Sequence, residues 1–184
     1  MESDTRQLLS ELREDHRNMA LVLNVLETTI ETAAIGADPD FELVNEIMHY
    51  MTVYPDAVHH RKEDLVYAEL KRQRPDLADD LDDVPKDHAQ IALLGGKLRD
   101  DVEAIVAGAA VRREQFIVDA LQYVRRLRNH MNWEEADLFS RIDTMIGEDP
   151  HAVDVGDFLH IKDPVFELEV EAGFRRLISS LETD

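Results

Sequence analysis

Along most of this chain apolar residues recur at intervals of three and four, the spacing that gathers them on one face of a helix, and little of it alternates as a strand would. From about residue 4 to 35 the stripe is Leu8, Leu12, Met19, Leu23, Leu26 and Ile30, with Ser3 or Asp4 able to cap the start and Gly36 beyond the end. A second segment follows Asp40 with Phe41, Val44, Ile47, Met48 and Met51, and runs to about Lys71. Pro55 lies inside it and predicts a kink or a split, because proline lacks a backbone donor and crowds the preceding turn.

An acidic, proline-punctuated stretch from Arg74 to Pro85 reads as a loop. A third helix is predicted from about Pro85 to Ala107, with Pro85 in the favoured first turn and Asp87 near the positive end of the dipole. Its face carries His88, Ile91, Ala92, Gly95 and Val102, and Gly95-Gly96 permits close approach of another helix or a small ligand. The fourth, from about Val111 to Ile146, steps through Phe116, Ala120, Tyr123 and Leu127 to His130 and Glu134, then Leu138 and Ile142. After a loop, Asp163-Pro164 signals a last amphipathic helix over about 163–181, with Phe166, Val170, Phe174, Leu177 and Ile178, set on the outside of the bundle or at a dimer contact. Long helices with short connections predict an all-α fold: an antiparallel up-down four-helix bundle over about 5–146 with an additional C-terminal helix.

Composition narrows the picture. With 184 residues and 44% hydrophobic content, one domain over 1–184 with a single sizeable core is expected. A net charge of −20 repels phosphate backbones and anionic lipids, which argues against nucleic-acid and membrane partners. There is no cysteine, so disulfides, thiolate metal sites and a nucleophilic thiol are excluded and any metal is held by nitrogen and oxygen. No window is apolar enough to span a bilayer and the N-terminus lacks a leader pattern, so a cytoplasmic protein is expected. Gly95-Gly96 lacks the spacing and strand context of a phosphate-binding loop, and no hydrolytic triad is visible.

The candidate chemistry is a doubled pattern. His59-x-x-x-Glu63 recurs 71 residues on as His130-x-x-x-Glu134, and a single histidine, His16 or His88, lies in the helix before each pair. Residues four apart on a helix project within about 40° of each other, so each pair offers an imidazole and a carboxylate on one face. Four histidines and two glutamates make six inward ligands, a number suited to two ions bridged by carboxylates. Without a metal, their burial would cost hydration with no compensation. Imidazole with carboxylate favours iron, manganese or zinc over calcium or magnesium.

These residues, with the flanks YPDAVHHRKEDLVY (54–67) and HMNWEEADLF (130–139), resemble the hemerythrin-like proteins with an HHE cation-binding domain over roughly residues 5–146. The resemblance implies a non-haem centre of two iron ions, oxo- or hydroxo-bridged, with His16, His59, His88 and His130 as terminal ligands and Glu63 and Glu134 as bridges. It implies a protein that binds dioxygen or nitric oxide for sensing, storage or detoxification. Alternatives are a di-iron oxidase or peroxidase, and an iron reservoir or sensor read by a protein partner through the C-terminal helix. Relatives that repair iron–sulfur clusters carry a cysteine-containing segment, and this chain has no cysteine.

The chain departs from the oxygen carriers of that family at Ala92, where they have a second third-helix histidine. One ion is thus expected to have a histidine fewer, with water, hydroxide or an unexpected side chain in its place. His60, about 100° round the helix from His59, is read as a surface residue or as one orienting a ligand carboxylate. Tyr54, Tyr67, Tyr123 and Trp133 are read as core packing, and His49, His151 and His160 as structural or exposed. Glu46-x-x-His49 has the ligand spacing of ferritin-like bundles but lacks a helical partner motif.

Overall fold

In the computed structural model, residues 4–36, 38–149, 151, 163, 165–166 and 172–182 are described. Helix α1 spans Asp4–Ala34, and Gly36 at φ +96° stops it. Asp40 accepts the Leu43 N–H at 3.1 Å and so caps α2, Phe41–Tyr54. Pro55–His59 then forms a single π-helical turn, closed by the His60 N–H on the Pro55 carbonyl, and the rod continues as α3, His60–Gln73. The predicted break at Pro55 is therefore a widened turn within one rod.

A short 3₁₀ turn at Pro75–Leu77 leads to α4, Val84–Val106. The fourth rod is α5, Arg113–Trp133, a second π-helical turn at Glu134–Leu138, and α6, Phe139–Glu148. The sequence pattern predicts one uninterrupted helix here; the wide turn is a correction to it. No strand occurs among the described residues.

The end of α1 meets the start of α5, where the Arg113 guanidinium donates to the Ala33 carbonyl at 2.7 Å. The starts of α1 and α4 share a cluster with the end of α3 and with α6: Leu8, Leu12, Val66, Leu70, Val84, Ile142 and Ile146. Successive rods therefore run in alternate directions, the expected up-down bundle.

A second apolar cluster fills the other end, from Met19 through Leu26 and Ile30 to Val44, Met48, Val102, Phe116 and Leu127. The two clusters part between Leu12 and Met19, which is where His16 enters. A polar layer thus divides the core.

The C-terminal segment is more broken than the single helix expected over 163–181. Its described parts are a turn at Val165–Phe166, a 3₁₀ turn at Ala172–Phe174 and α7, Arg175–Leu181, while Val170 lies outside the described residues. Phe174 and Leu177 are buried in the chain's own core. Glu46 accepts the Arg176 and Leu177 N–H groups at 2.8 and 3.0 Å, and His49 stacks on Phe174. The Glu46-x-x-His49 spacing therefore serves to dock this segment. No helix among the described residues is long and apolar enough to cross a membrane.

Candidate metal centre

The structure brings all six residues picked out by the doubled pattern into one buried layer: His16, His59, Glu63, His88, His130 and Glu134 are each 6% exposed or less. It adds a seventh. His60 is 4% exposed, and its ring lies parallel to that of His88 with centroids 4.2 Å apart. The surface reading of His60 is thus corrected. The π turn ends between His59 and His60, and the rings of these adjacent residues, centroids 5.6 Å apart, both join the layer.

The ligand-type atoms form two groups sharing one carboxylate. His60, Glu63, His88 and His130 make one; His16, His59 and Glu63 make the other. Ala92 is half-buried on α4, and the third imidazole of the larger group comes from α3 instead of from the turn after His88.

The donors face one another without being satisfied. His59 Nε2 is 3.1 Å and His16 Nε2 3.3 Å from Glu63 Oε1, while His88 Nε2 is 3.4 Å from Glu63 Oε2. His130 Nε2 is 3.2 Å from Glu134 Oε2, and His88 and His130 bring their Nε2 atoms to 3.0 Å. Yet His16 Nε2, His59 Nε2, both Glu63 oxygens and Glu134 Oε2 are buried with no aligned hydrogen bond. Buried polar atoms are seldom left so.

Three outer ring nitrogens are held and a fourth is faced by an acid. His16 Nδ1 bonds Glu135 at 3.0 Å, His59 Nδ1 bonds Asp15 at 3.1 Å, and His88 Nδ1 bonds Asp64 at 3.1 Å. His130 Nδ1 stands 2.9 Å from Asp87 Oδ2, off hydrogen-bond alignment. The pairing closes a ring: each rod clamps the histidine of a neighbour with an acid that directly precedes or follows its own site residue. An Nδ1–H donated to a carboxylate fixes the tautomer and leaves the Nε2 lone pair pointing inward, the arrangement that supports metal-bound imidazole.

These four acids escaped sequence reasoning, although the signal was present as Asp15-His16, Glu63-Asp64, Asp87-His88 and Glu134-Glu135. Lys62 escaped it too. It is 1% exposed, with Nζ 3.7 Å from Glu11 and 3.8 Å from Asp15, a buried cation beside the clamp on His59.

Two tyrosines do more than pack. Tyr54 donates to Asp15 at 3.1 Å, and Tyr67 donates to Glu134 Oε1 at 2.7 Å. Burial, reinforced by Glu63 and Glu134, holds the Tyr67 phenol protonated. Tyr123 is core packing as expected, and Trp133 packs on the cluster beside α6. His49 and His151 are exposed, and His160 lies outside the described residues.

Charge balance in the layer is reciprocal. Burial pushes the His16 imidazole down, but Glu134, Glu135 and Glu63 outweigh it and raise it to about 11. His88 reaches about 11 likewise: burial lowers it, and Asp64, Glu134 and Glu63 prevail. Burial favours neutral Glu63, yet His59, His16 and His88 hold it well below the ordinary carboxylate value. Protons on the imidazoles can thus neutralise the glutamates, and a cation entering the layer displaces them.

Five imidazoles and two carboxylates on four rods, with inner atoms of His16, His59, Glu63 and Glu134 lacking an aligned hydrogen bond and four outer nitrogens faced by acids, define a helical-bundle protein built to hold cations between its helices. The chain belongs to the hemerythrin family: the profile of the hemerythrin HHE cation binding domain matches residues 7–143. No curated protein and no solved structure shows a significant match to the chain.

Proposed function

We propose that this chain is a non-haem di-iron protein that binds dioxygen or nitric oxide for sensing, storage or detoxification. His16 and His59 would hold one ion and His60, His88 and His130 the other, with Glu63 between the two groups and Glu134 beside them. The observation that carries the reading is that His16 Nε2, His59 Nε2, both Glu63 oxygens and Glu134 Oε2 are buried without an aligned hydrogen bond, behind Nδ1 atoms faced by acids. Iron held there supplies a ferrous–ferric couple and coordination positions for a small ligand.

The two groups are unequal. His16 and His59 bring two imidazoles where the other group brings three, so an exogenous ligand would be taken up on the His16 side. Phe139 stacks on the His16 ring at 5.1 Å, and apolar clusters flank the layer on both sides, which keeps bulk water from it. A position open to dioxygen also admits peroxide. That gives the second reading, a di-iron oxidoreductase, whose sign is rapid peroxide turnover by the iron-loaded protein that is absent in His130→Ala.

The test is iron per chain and the optical spectrum after anaerobic loading with ferrous iron, followed by oxygen. Two irons per chain, with new charge-transfer bands that reverse on deoxygenation, are expected. Replacing both Glu63 and Glu134 by alanine should lower the iron content. An unchanged stoichiometry in that variant, or one iron or none in the wild type, rejects the reading.

A further inference from the structure

Glu63 and Glu134 occupy equivalent places in two copies of one motif, yet their oxygens have different surroundings. Glu63 Oε1 faces His16 and His59, and its Oε2 faces His88; neither oxygen has an aligned hydrogen bond. Glu134 has only Oε2 in that condition, 3.2 Å from His130 Nε2 and 3.5 Å from His16 Nε2. Its Oε1, on the His88 side at 3.8 Å from that ring's Nε2, accepts the Tyr67 hydroxyl at 2.7 Å.

The restraint on Glu134 is firm for structural reasons. Tyr67 lies one turn after Glu63 on α3, so the residue that orders Glu134 is carried by the rod that supplies the other glutamate. Its ring is 4% exposed within the cluster of Leu8, Leu12, Leu70, Leu138 and Ile142, which fixes where the hydroxyl points. A buried hydroxyl deprived of its acceptor loses hydration without compensation, so the bond is not readily exchanged.

On the two-metal reading above, we infer that Tyr67 is a positioning residue: its hydroxyl anchors Oε1 and so fixes the turn of the Glu134 carboxylate, so that Glu63 would span both metal positions while Glu134 would present Oε2 alone at their junction. The consequence is inequivalence. With Oε1 anchored away from the junction, the position served by His60, His88 and His130 would take one oxygen fewer than two symmetric bridges would give it.

Cobalt(II) reports this directly, because its visible absorption weakens as coordination number rises. The wild type and Tyr67→Phe are titrated with cobalt alone, following stoichiometry, visible spectrum and melting temperature. Two cobalt ions per chain are expected in both. In Tyr67→Phe the freed Oε1 reaches the ion on the His88 side, and absorption per cobalt falls by at least half. A role confined to packing would lower the melting temperature and leave the bands unchanged, and that result overturns the inference while the two-metal reading stands. A wild type that binds no cobalt overturns both. The ferric-loaded wild type gives an answer that needs no variant: a phenolate-to-iron charge-transfer band there would make the tyrosine a ligand and sink the positioning role, and its absence is expected.

Discussion

At the scale of single residues, the centre depends on acids that bind nothing inward. Asp64 and Glu135 are both near 40% side-chain exposure, at 43% and 39%, yet each holds the outer nitrogen of a buried histidine. Asp64→Asn and Glu135→Gln keep size and remove charge at positions the fold tolerates, so the loss should appear in metal binding and not in folding. Each is expected to weaken affinity by about 10- to 100-fold, the range found when such outer partners are removed. Chelator competition measures it, and affinities within twofold of wild type would show the clamps to be incidental. His16, His59, Glu63, His88, His130 and Glu134 were legible because their spacing recurs. His60 was not, because a helix of uniform 3.6-residue turns puts adjacent residues on faces about 100° apart, whereas here the rings of both His59 and His60 reach the layer.

At the scale of elements, the two π turns and one glycine set the geometry. Pro55 announces the first wide turn, since its missing N–H removes an α-helical bond. Nothing in EEADL (134–138) announces the second, in which Glu134 and Leu138 are buried. The Gly95-Gly96 pair predicts an opening for a close neighbour, and only half of the pair serves that purpose. A Cβ on Gly95 would lie 3.1 Å from the Tyr123 ring and 3.3 Å from Thr52 Cγ2, whereas one on Gly96 meets nothing within 4 Å. Tyr123 is 1% exposed and Thr52 is tied to the Met48 carbonyl at 2.8 Å, so neither yields cheaply. Gly95→Ala should therefore lose stability, overpacking of about 1–3 kcal/mol exceeding a helix-propensity gain of about 1 kcal/mol. Gly96→Ala keeps the gain alone and should raise the unfolding midpoint. Urea unfolding of the metal-free variants decides it, and equal shifts of the same sign for the two would refute the asymmetry.

At the scale of the whole molecule, a charged layer lies between two apolar clusters, so folding and metal binding are linked through the same protons. The raised imidazoles of His16 and His88 stabilise the metal-free fold fully below their ordinary value of 6.5, and that contribution drains away as pH climbs toward about 11. The depressed carboxyls of Glu63 and Glu134 act in the opposite sense: their contribution is present above the ordinary 4.5 and is lost as pH falls below it. Together they place the greatest metal-free stability between 4.5 and 6.5, with a decline through neutral and alkaline pH. Metal reverses the slope. A cation displaces the imidazole protons, so binding tightens as pH rises and the stabilisation it confers grows with affinity. The metal-free melting temperature should thus fall from mildly acidic to alkaline pH while the gain on adding zinc or ferrous iron widens. Calorimetry at neutral pH in buffers of different ionisation enthalpy should show protons released on binding. A chain of net charge −20 is itself relieved by acid, so the melting curve alone would not single out the layer. Proton release does, because it counts the hydrogens that leave His16, His88 and their partners when the cation enters; binding without release would mean that the imidazoles are already neutral and that the reciprocal charge balance described above is wrong.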